Sequence, residues 1–202
     1  MNRREAIAAG AALFVPQIGN AAQCPCVDKD KNATNPLERK HAQICAFHIG
    51  YDDPDFQLET THYCTALGDG VFQCIIYDSC KPAAKLLGVE YVITNEVFGQ
   101  LRKDEAKLWH PHRFEIEEGL FTIHNVTKDC EEKLLKALVN SWGKTWQTWP
   151  DPTTKVPLGK PILMWSASPT ESVKSDLVKK RDKTYKLNVD DIKKYRKKLL
   201  GK

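Results

Sequence analysis

The sequence predicts a single α+β domain with a small, mainly antiparallel sheet flanked by helices, and three observations lead to that fold class. The chain has 202 residues, of which 42% are hydrophobic and 28% charged, so it can bury one substantial core. Short apolar runs alternate with stretches of helical periodicity. No internal repeat or low-complexity linker divides the chain.

The first 22 residues have the three parts of a secretory signal peptide. Paired Arg3-Arg4 precede a weakly apolar stretch rich in Ala and Gly, and small residues up to Ala22 provide a cleavage site. The paired arginines are typical of a twin-arginine signal. We therefore expect cleavage near Ala22, a periplasmic or secreted bacterial protein, and an irregular lead-in over residues 23–36.

Seven cysteines fit an oxidising compartment, where disulfides persist. Their odd number leaves at least one without a partner in the same chain. Two interpretations of Cys64 remain open. His62, two residues earlier, would activate it as a nucleophile, or Cys64 forms a disulfide with Cys74.

The expected domain spans residues 37–172 and opens with a helix. The segment 37–50 follows a helix-start signal and places His41, Cys45 and His48 on one helical face. The same spacing gathers potential metal ligands, although Cys45 fits a disulfide or the core equally well.

Periodicity predicts the elements that follow. The segment RFEIEEGLFTI alternates apolar and charged residues as a half-buried strand does, whereas CEEKLLKALVNSW has helical spacing. The expected elements are strands over 74–78 and 89–93, a short helix within 95–109, a strand over 113–123 that turns near Gly119, a helix over 130–142 that stops at Gly143, and a buried strand over 161–168.

Residues 173–202 are expected to form two short basic helices. They contain twelve Lys and Arg against four Asp, a net charge of +8, while the rest of the chain is acidic overall. Such a tail favours contact with an anionic membrane surface, and a solvated helix is the alternative. The acidic body and the expected export argue against nucleic acid as a partner. No apolar run approaches 20 residues, so no transmembrane helix is predicted.

Histidines form the main candidate site. His110 and His112 are two residues apart, so a strand would point both to one side and Glu115 to the other, whereas a bend would bring all three together. With His62 and His48, this set would suit a divalent transition metal such as Zn, Fe or Mn. The alternative is a group of histidines that only form hydrogen bonds within the core.

A second candidate pocket lies around the segment WGKTWQTW, residues 142–149. Three tryptophans within eight residues, with Lys144 among them, would line a pocket or lie at a lipid interface. Trp146 and Lys144, together with Cys64, are the residues we assign to it. Packing in the core at the end of a helix is the alternative.

Seven motifs follow one another in the order HIGYDDPDFQLETTHYC, QCIIYDS, AAKLLGVEYVIT, WHPHRFE, WGKTWQTW, VPLGKPILMW and LVKKRDKTY. This collinear set spans about residues 40–190 and resembles the oil-body-associated proteins of plant seeds, a family that also has bacterial members. The resemblance implies association with lipid-droplet surfaces and no assigned catalytic mechanism. Its recurring polar positions correspond to His48, His62, Cys64, Gln73, Asp78, Glu90, His110, His112, Glu115 and Lys144.

Two functions follow from these patterns. The first is a non-enzymatic, exported protein that binds lipid or associates with a lipid surface, and the resemblance, the tryptophan cluster and the basic tail favour it. The alternative is a metal-binding protein or metal-dependent enzyme that uses the histidine cluster. The sequence specifies neither a substrate nor an oligomeric state.

Overall fold

A computed structural model describes residues 33–39 and 42–201. The expected signal peptide, His41 and most of the lead-in lie outside these residues. At the end of the lead-in, the Asn35 side chain accepts a hydrogen bond from Leu37 N–H at 3.0 Å and caps a short 3₁₀ helix, Pro36–Glu38. Among the helices of this described part, none has the length and apolarity needed to cross a membrane.

The described part of the chain contains eight strands and six α-helices. The strands are β1 (Ala42–Gly50), β2 (Gln57–Gly68), β3 (Val71–Tyr77), β4 (Leu86–Thr94), β5 (His110–Pro111), β6 (Thr122–His124), β7 (Ser141–Gln147) and β8 (Ile162–Trp165). The helices are α1 (Asn95–Phe98), α2 (Lys103–Ala106), α3 (Arg113–Glu117), α4 (Lys128–Leu138), α5 (Ser175–Tyr185) and α6 (Val189–Leu199).

Six of these strands close into an antiparallel barrel. Going round the ring, β1 pairs with β2, then β3, β4, β7 and β8 follow, and β8 pairs with β1 again. The short β5 adds to β7, and β6 adds to β1. The single α+β domain is confirmed, but the sheet is not small, because its eight strands include a closed ring.

One end of the barrel interior holds the apolar core. Apolar side chains of α4 pack there against inward-facing side chains of the strands. Each large apolar side chain buried in this way contributes roughly 1.5–3 kcal/mol. The cluster includes Ala42, Ile44, Cys64, Phe72, Cys74, Val92, Ile116, Phe121, Leu134, Leu135 and Leu138.

A disulfide joins Cys64 on β2 to Cys74 on β3 inside this core. The two residues are directly opposite each other in the antiparallel register, which brings their side chains to the same side of the sheet. Of the two interpretations of Cys64, the disulfide is therefore confirmed. Cys45 is buried and free, and Cys80 is exposed and free.

The helix predicted over residues 37–50 is wrong, because most of that segment forms β1. All nine residues of β1 are buried. Its inner side lines the barrel, while on its outer side Phe47 lies under the guanidinium of Arg181 from α5, 5.5 Å from the ring centroid. A strand covered on both faces loses the alternating polar pattern, and its sequence then imitates helical spacing.

Two further boundaries are corrected. The strand predicted over 113–123 divides into α3 and β6, since a short helix satisfies the burial of Ile116 equally well. Gly119, with φ of 72°, makes the turn between them. The helix predicted over 130–142 ends at Leu138, and Gly143 lies inside β7 rather than at a helix end. The tryptophan segment therefore belongs largely to a strand.

The three strands predicted over 74–78, 89–93 and 161–168 are present: the second lies within β4, the first overlaps β3 up to Tyr77, and the third is longer than β8, which it contains. The two basic helices near the C-terminus are confirmed as α5 and α6. These helices are packed on the domain, because Arg181 and Arg196 are almost completely buried. The short helix predicted within 95–109 is present as two separate turns, α1 and α2.

Candidate metal centre

Inside the barrel, a buried carboxylate is surrounded by histidines. Glu90 comes from the middle of β4, and His62 comes from β2. His110 belongs to β5, and His112 immediately precedes α3. All four residues are at most 4% exposed. Their charges and hydrogen-bonding groups must therefore be satisfied by one another or by a bound ion.

Three atoms of ligand type converge in this cluster. Glu90 Oε1 lies 3.4 Å from His110 Nε2 and 3.5 Å from His112 Nε2. The ligand atoms of these three residues all lie within 4.8 Å of one another. Two ligands placed about 2.1 Å from a tetrahedral metal ion are roughly 3.4 Å apart. The spacing suits one ion shared by the carboxylate and the two imidazoles.

Gly143 on β7 leaves room for this convergence. A Cβ atom at this position would lie 2.3 Å from Glu90 Oε1, 2.6 Å from His112 Nε2 and 2.8 Å from His110 Nε2. All three distances are shorter than non-bonded contact allows. Glycine therefore lets the three ligand atoms rest against the backbone of β7, which explains a glycine in the middle of a strand.

The hydrogen bonds of His112 leave its Nε2 without a proton when the ring is neutral. Ser141 Oγ donates to the Leu138 carbonyl at 2.6 Å and lies 2.8 Å from His112 Nδ1. Ser141 must then accept a hydrogen bond from Nδ1–H, so the Nε2 lone pair faces Glu90 Oε1. Two acceptors in this position repel each other unless a proton or a metal cation lies between them.

The pKa shifts favour the metal-binding forms of Glu90 and His110, whereas His112 is shifted towards its protonated form in the absence of a metal. Burial raises the pKa of Glu90, but its close contacts with the three surrounding histidines outweigh that effect and hold the pKa well below its usual value. Burial lowers the pKa of His110. Burial also acts to lower the pKa of His112, yet its close contact with Glu90 and the charges of Glu90 and Glu115 raise it overall. A carboxylate and a neutral imidazole are the forms that bind metals.

His62 orients the Glu90 carboxylate by contacting Oε2, whereas His110 and His112 lie near Oε1. Its Nδ1 lies 3.0 Å from Glu90 Oε2, and its Nε2 lies 3.0 Å from Thr60 Oγ1. The Thr145 hydroxyl donates to Glu90 Oε1 at 2.8 Å. These contacts hold the carboxylate in one orientation, as outer hydrogen bonds commonly do for metal ligands.

Glu115 lies at the edge of the cluster. Its Oε1 is 4.0 Å from His112 Nε2, and the side chain is buried. Burial raises the pKa of Glu115 to about 8, although the neighbouring His112 acts in the opposite direction. Because α3 begins directly after His112, the bend that brings this carboxylate near the histidines is a helical turn rather than the strand we expected.

His48 is near the cluster but separate from the three converging atoms. Its ring packs edge-on against His62, with 4.9 Å between the ring centroids. Neither of its ring nitrogens has a hydrogen-bond partner among the described residues, and the nearby Gln147 Oε1 is also unpaired there. Burial lowers the pKa of His48 to about 3.

The structure does not bring Cys64, Lys144 and Trp146 together. Cys64 faces the barrel interior in its disulfide. Lys144 and Trp146 occupy half-exposed positions of β7, which alternate with buried ones. Lys144 Nζ donates to Glu105 Oε1 at 2.5 Å and lies 5.0 Å from the centre of the Trp109 ring.

Gly143 was not among the predicted site residues, and Glu90 was named only among the recurring polar positions that the family resemblance implies. Glu90 is the only charged residue in LLGVEYVIT, and a lone charge in an apolar strand marks a buried polar position. Its opposite neighbours in the register, Cys74 on β3 and Thr145 on β7, also face the interior. That signal was present in the sequence, but its meaning depends on the pairing of β4 with β7.

Comparison with known proteins finds one matching family model and several similar plant proteins. The family model described as "Protein of unknown function (DUF1264)" matches residues 34–200. Oil body-associated protein 2A of Zea mays is 39% identical over 160 residues, which cover 78% of this chain and 64% of the relative. Oil body-associated protein 2A of Arabidopsis thaliana is 32% identical over 169 residues, covering 82% and 68%.

The chain belongs to the oil body-associated protein family. The chain spans a little under two thirds of the length of two of these relatives: 64% of oil body-associated protein 2A of Zea mays and 62% of oil body-associated protein 2B of Zea mays. No solved structure matches the chain. The family match covers the whole barrel and both C-terminal helices, so α5 and α6 belong to the region shared with the family.

Proposed function

We propose that this member of the oil body-associated protein family binds one divalent transition metal ion, of the Zn, Fe or Mn type, inside its barrel. Glu90, His110 and His112 are the ligands, and Glu115 is within reach as a fourth. The observation that carries the proposal is the convergence of three buried ligand atoms, with the bare Nε2 of His112 directed at Glu90 Oε1.

The donor set fits such an ion chemically. Two imidazoles and a carboxylate form the ligand set of many Zn, Fe and Mn sites. An ion held there supplies a Lewis acid or, with Fe or Mn, a centre that can change its oxidation state. The protein positions the ligands, because Ser141, His62 and Thr145 fix the orientations of His112 and Glu90.

Metal analysis of the purified protein tests this proposal. We expect about one equivalent of metal in the wild type and a large loss in His110→Ala. His124→Ala is the matched control, because His124 is a histidine of β6 outside the cluster. Wild-type protein that stays metal-free after refolding with Zn²⁺, Fe²⁺ or Mn²⁺ would contradict the proposal, as would equal metal content in the two variants.

A second candidate function is association with a lipid surface, without catalysis. One row of apolar side chains crosses four neighbouring strands on the outside of the barrel: Tyr63, Ile75, Val89 and Trp146 are successive partners in the register. All four are at least partly exposed, and Tyr91 beside them is 43% exposed. Such a patch suits an apolar partner, and the relatives named above are oil body-associated proteins.

Flotation with triacylglycerol droplets coated with phosphatidylcholine tests this second function. Val89→Glu should reduce flotation if the outer row makes the contact. Adding phosphatidylserine to the coat tests whether the basic helices contact anionic lipid. Replacing the exposed Lys197 and Lys198 with Gln should then remove any gain in flotation that phosphatidylserine produces. Wild-type protein that stays with neither kind of droplet would exclude the lipid-surface function.

We also propose that residues 1–22 direct export to the periplasm or the outside of a bacterial cell. The supporting observations are the paired Arg3-Arg4 and the small residues before Ala22. Cell fractionation after expression in a bacterium tests this. Arg3→Lys with Arg4→Lys should retain the protein in the cytoplasm, and an unchanged distribution would oppose a twin-arginine route.

A further inference from the structure

A small apolar cavity adjoins the candidate metal centre. Its volume is about 20 Å³, and it touches Glu90 and His112. A space of roughly 10–15 Å³ on this measure admits one water molecule. The cavity therefore has room for one water molecule or for a diatomic molecule of similar size. The other lining residues are Ala42, Ile44, Cys64, Phe72, Cys74, Val92, Phe121, Leu134 and Leu138.

The walls of this cavity determine what it admits. Apart from Glu90 and His112, every lining side chain is apolar, and the cavity lies in the buried core. An apolar cavity holds water weakly and accepts small apolar molecules. The backbone of Gly143 occupies one side of the three ligand atoms, and the cavity borders two of the three ligand residues, Glu90 and His112.

We propose that the metal centre reserves one coordination position, on the cavity side, for a small exogenous ligand of the dioxygen class, and that it excludes larger molecules. This inference rests on the proposed metal site and specifies the ligand of that site. Two histidines and one carboxylate with an open position are the arrangement found in non-haem Fe(II) centres that bind dioxygen. A lipid acyl chain or headgroup does not fit in the cavity, so a lipid surface and the metal would be served by separate parts of the molecule.

The wild-type protein provides the first test. The protein is refolded anaerobically with Fe²⁺, its iron content is measured, and nitric oxide is added as a stable stand-in for dioxygen. We expect the electron paramagnetic resonance signal of a high-spin iron nitrosyl. In Co²⁺-loaded protein, the diatomic cyanide ion should change the visible spectrum, and octanoate, a carboxylate with an eight-carbon chain, should not.

A cavity-filling variant provides the second test. Ala42→Val adds two methyl groups to a lining residue without altering a proposed ligand. It should keep the wild-type iron content and bind nitric oxide at least tenfold more weakly. Ala46→Val is the matched control, because Ala46 lies on the same strand and the same face but does not line the cavity.

The outcomes separate this inference from the proposed function. Iron-loaded wild-type protein without a nitrosyl signal would overturn the inference and leave metal binding intact. Equal spectral responses to cyanide and octanoate would overturn the size limit. Protein that takes up no metal would overturn both. The wild-type comparison of ligands decides the matter even where Ala42→Val prevents folding.

Discussion

The inner and outer faces of β4 and β7 differ in chemistry, although both faces are formed by alternate residues of the same two strands. Facing inwards, Glu90 and Thr145 are hydrogen-bonded to each other and are at most 4% exposed. Facing outwards, the neighbouring Val89 and Trp146 form an apolar pair on the surface. Because adjacent residues of a strand point to opposite faces, two candidate functions lie one residue apart in sequence. Substitutions at adjacent positions should therefore separate metal binding from lipid association.

Gly143→Ala should have the largest effect on the proposed metal site of the inner face, without changing the outer face. The added Cβ would overlap Glu90 Oε1, His112 Nε2 and His110 Nε2, so the ligand atoms must separate. We expect metal affinity to fall on the order of 100-fold, measured by competition with a chromophoric chelator. Gly99→Ala is the control, since a Cβ there meets nothing closer than 3.5 Å. Wild-type affinity in Gly143→Ala would disprove the proposed ligand arrangement.

His48→Leu tests the inner face through the pH dependence of protein stability. Burial lowers the pKa of His48 to about 3 in the folded protein, from 6.5 for an ordinary histidine. Between these two pKa values the unfolded chain binds a proton at His48 and the folded chain does not. The free energy of unfolding therefore falls as pH drops from about 6.5 towards 3, by about 1.4 kcal/mol per pH unit.

Urea unfolding of metal-free protein at pH 7 and pH 4.5 measures this effect. The free energy of unfolding should fall less in His48→Leu than in the wild type. His124→Leu should show a smaller difference, because His124 is only partly buried. Equal losses of stability in the wild type and His48→Leu would mean that His48 accepts a proton within the folded barrel.

Ser141→Ala tests the orientation of one ligand without removing it. The substitution deletes the group that accepts the His112 Nδ1–H hydrogen bond, so Nε2 is no longer held free of a proton. We expect about a tenfold loss of metal affinity. Ser166→Ala removes a hydrogen bond from another buried serine, to the Pro111 carbonyl, and should leave the affinity unchanged. Equal affinities for both serine variants would contradict the assigned tautomer.

Trp146→Glu should have the smallest effect on the barrel interior. Trp146 projects outwards, so metal affinity should remain within about twofold and stability within about 0.5 kcal/mol of the wild type, as for other surface changes. Droplet flotation should decrease. Thr145→Val, one residue earlier, should show the reverse pattern, because it removes a hydrogen bond to Glu90. A change of both properties in either variant would mean that the two faces are coupled.

The sequence predicted the strands that carry a clear local signal and missed the closure of the barrel. CIIYD and VEYVI are short apolar runs, and both are strands. Residues 42–50 form β1, which is buried on both faces, so no alternation distinguishes it from a helix. Closure depends on the pairing of β1 with both β2 and β8, and such long-range pairings leave no mark on either segment alone.

The candidate site was partly predictable for a related reason. His110 and His112 are close in sequence, and their spacing indicated a shared direction. Glu90 and Gly143 lie on strands that only the barrel brings together, and nothing local distinguishes a ligand carboxylate from another buried acid. The helical turn at Glu115 was missed because Phe114 and Ile116 fit a strand as well as a helix.

The near-complete burial of Glu90, His110 and His112 has a consequence for metal selection. At free equilibrium, nitrogen and oxygen ligands favour Cu²⁺ and Zn²⁺ over Fe²⁺ and Mn²⁺. An ion bound at the proposed site would exchange only when the barrel opens, so it would be selected as the chain folds. If residues 1–22 act as the proposed twin-arginine signal, the protein would fold before export, and the metal supply of the cytoplasm would determine which ion it carries.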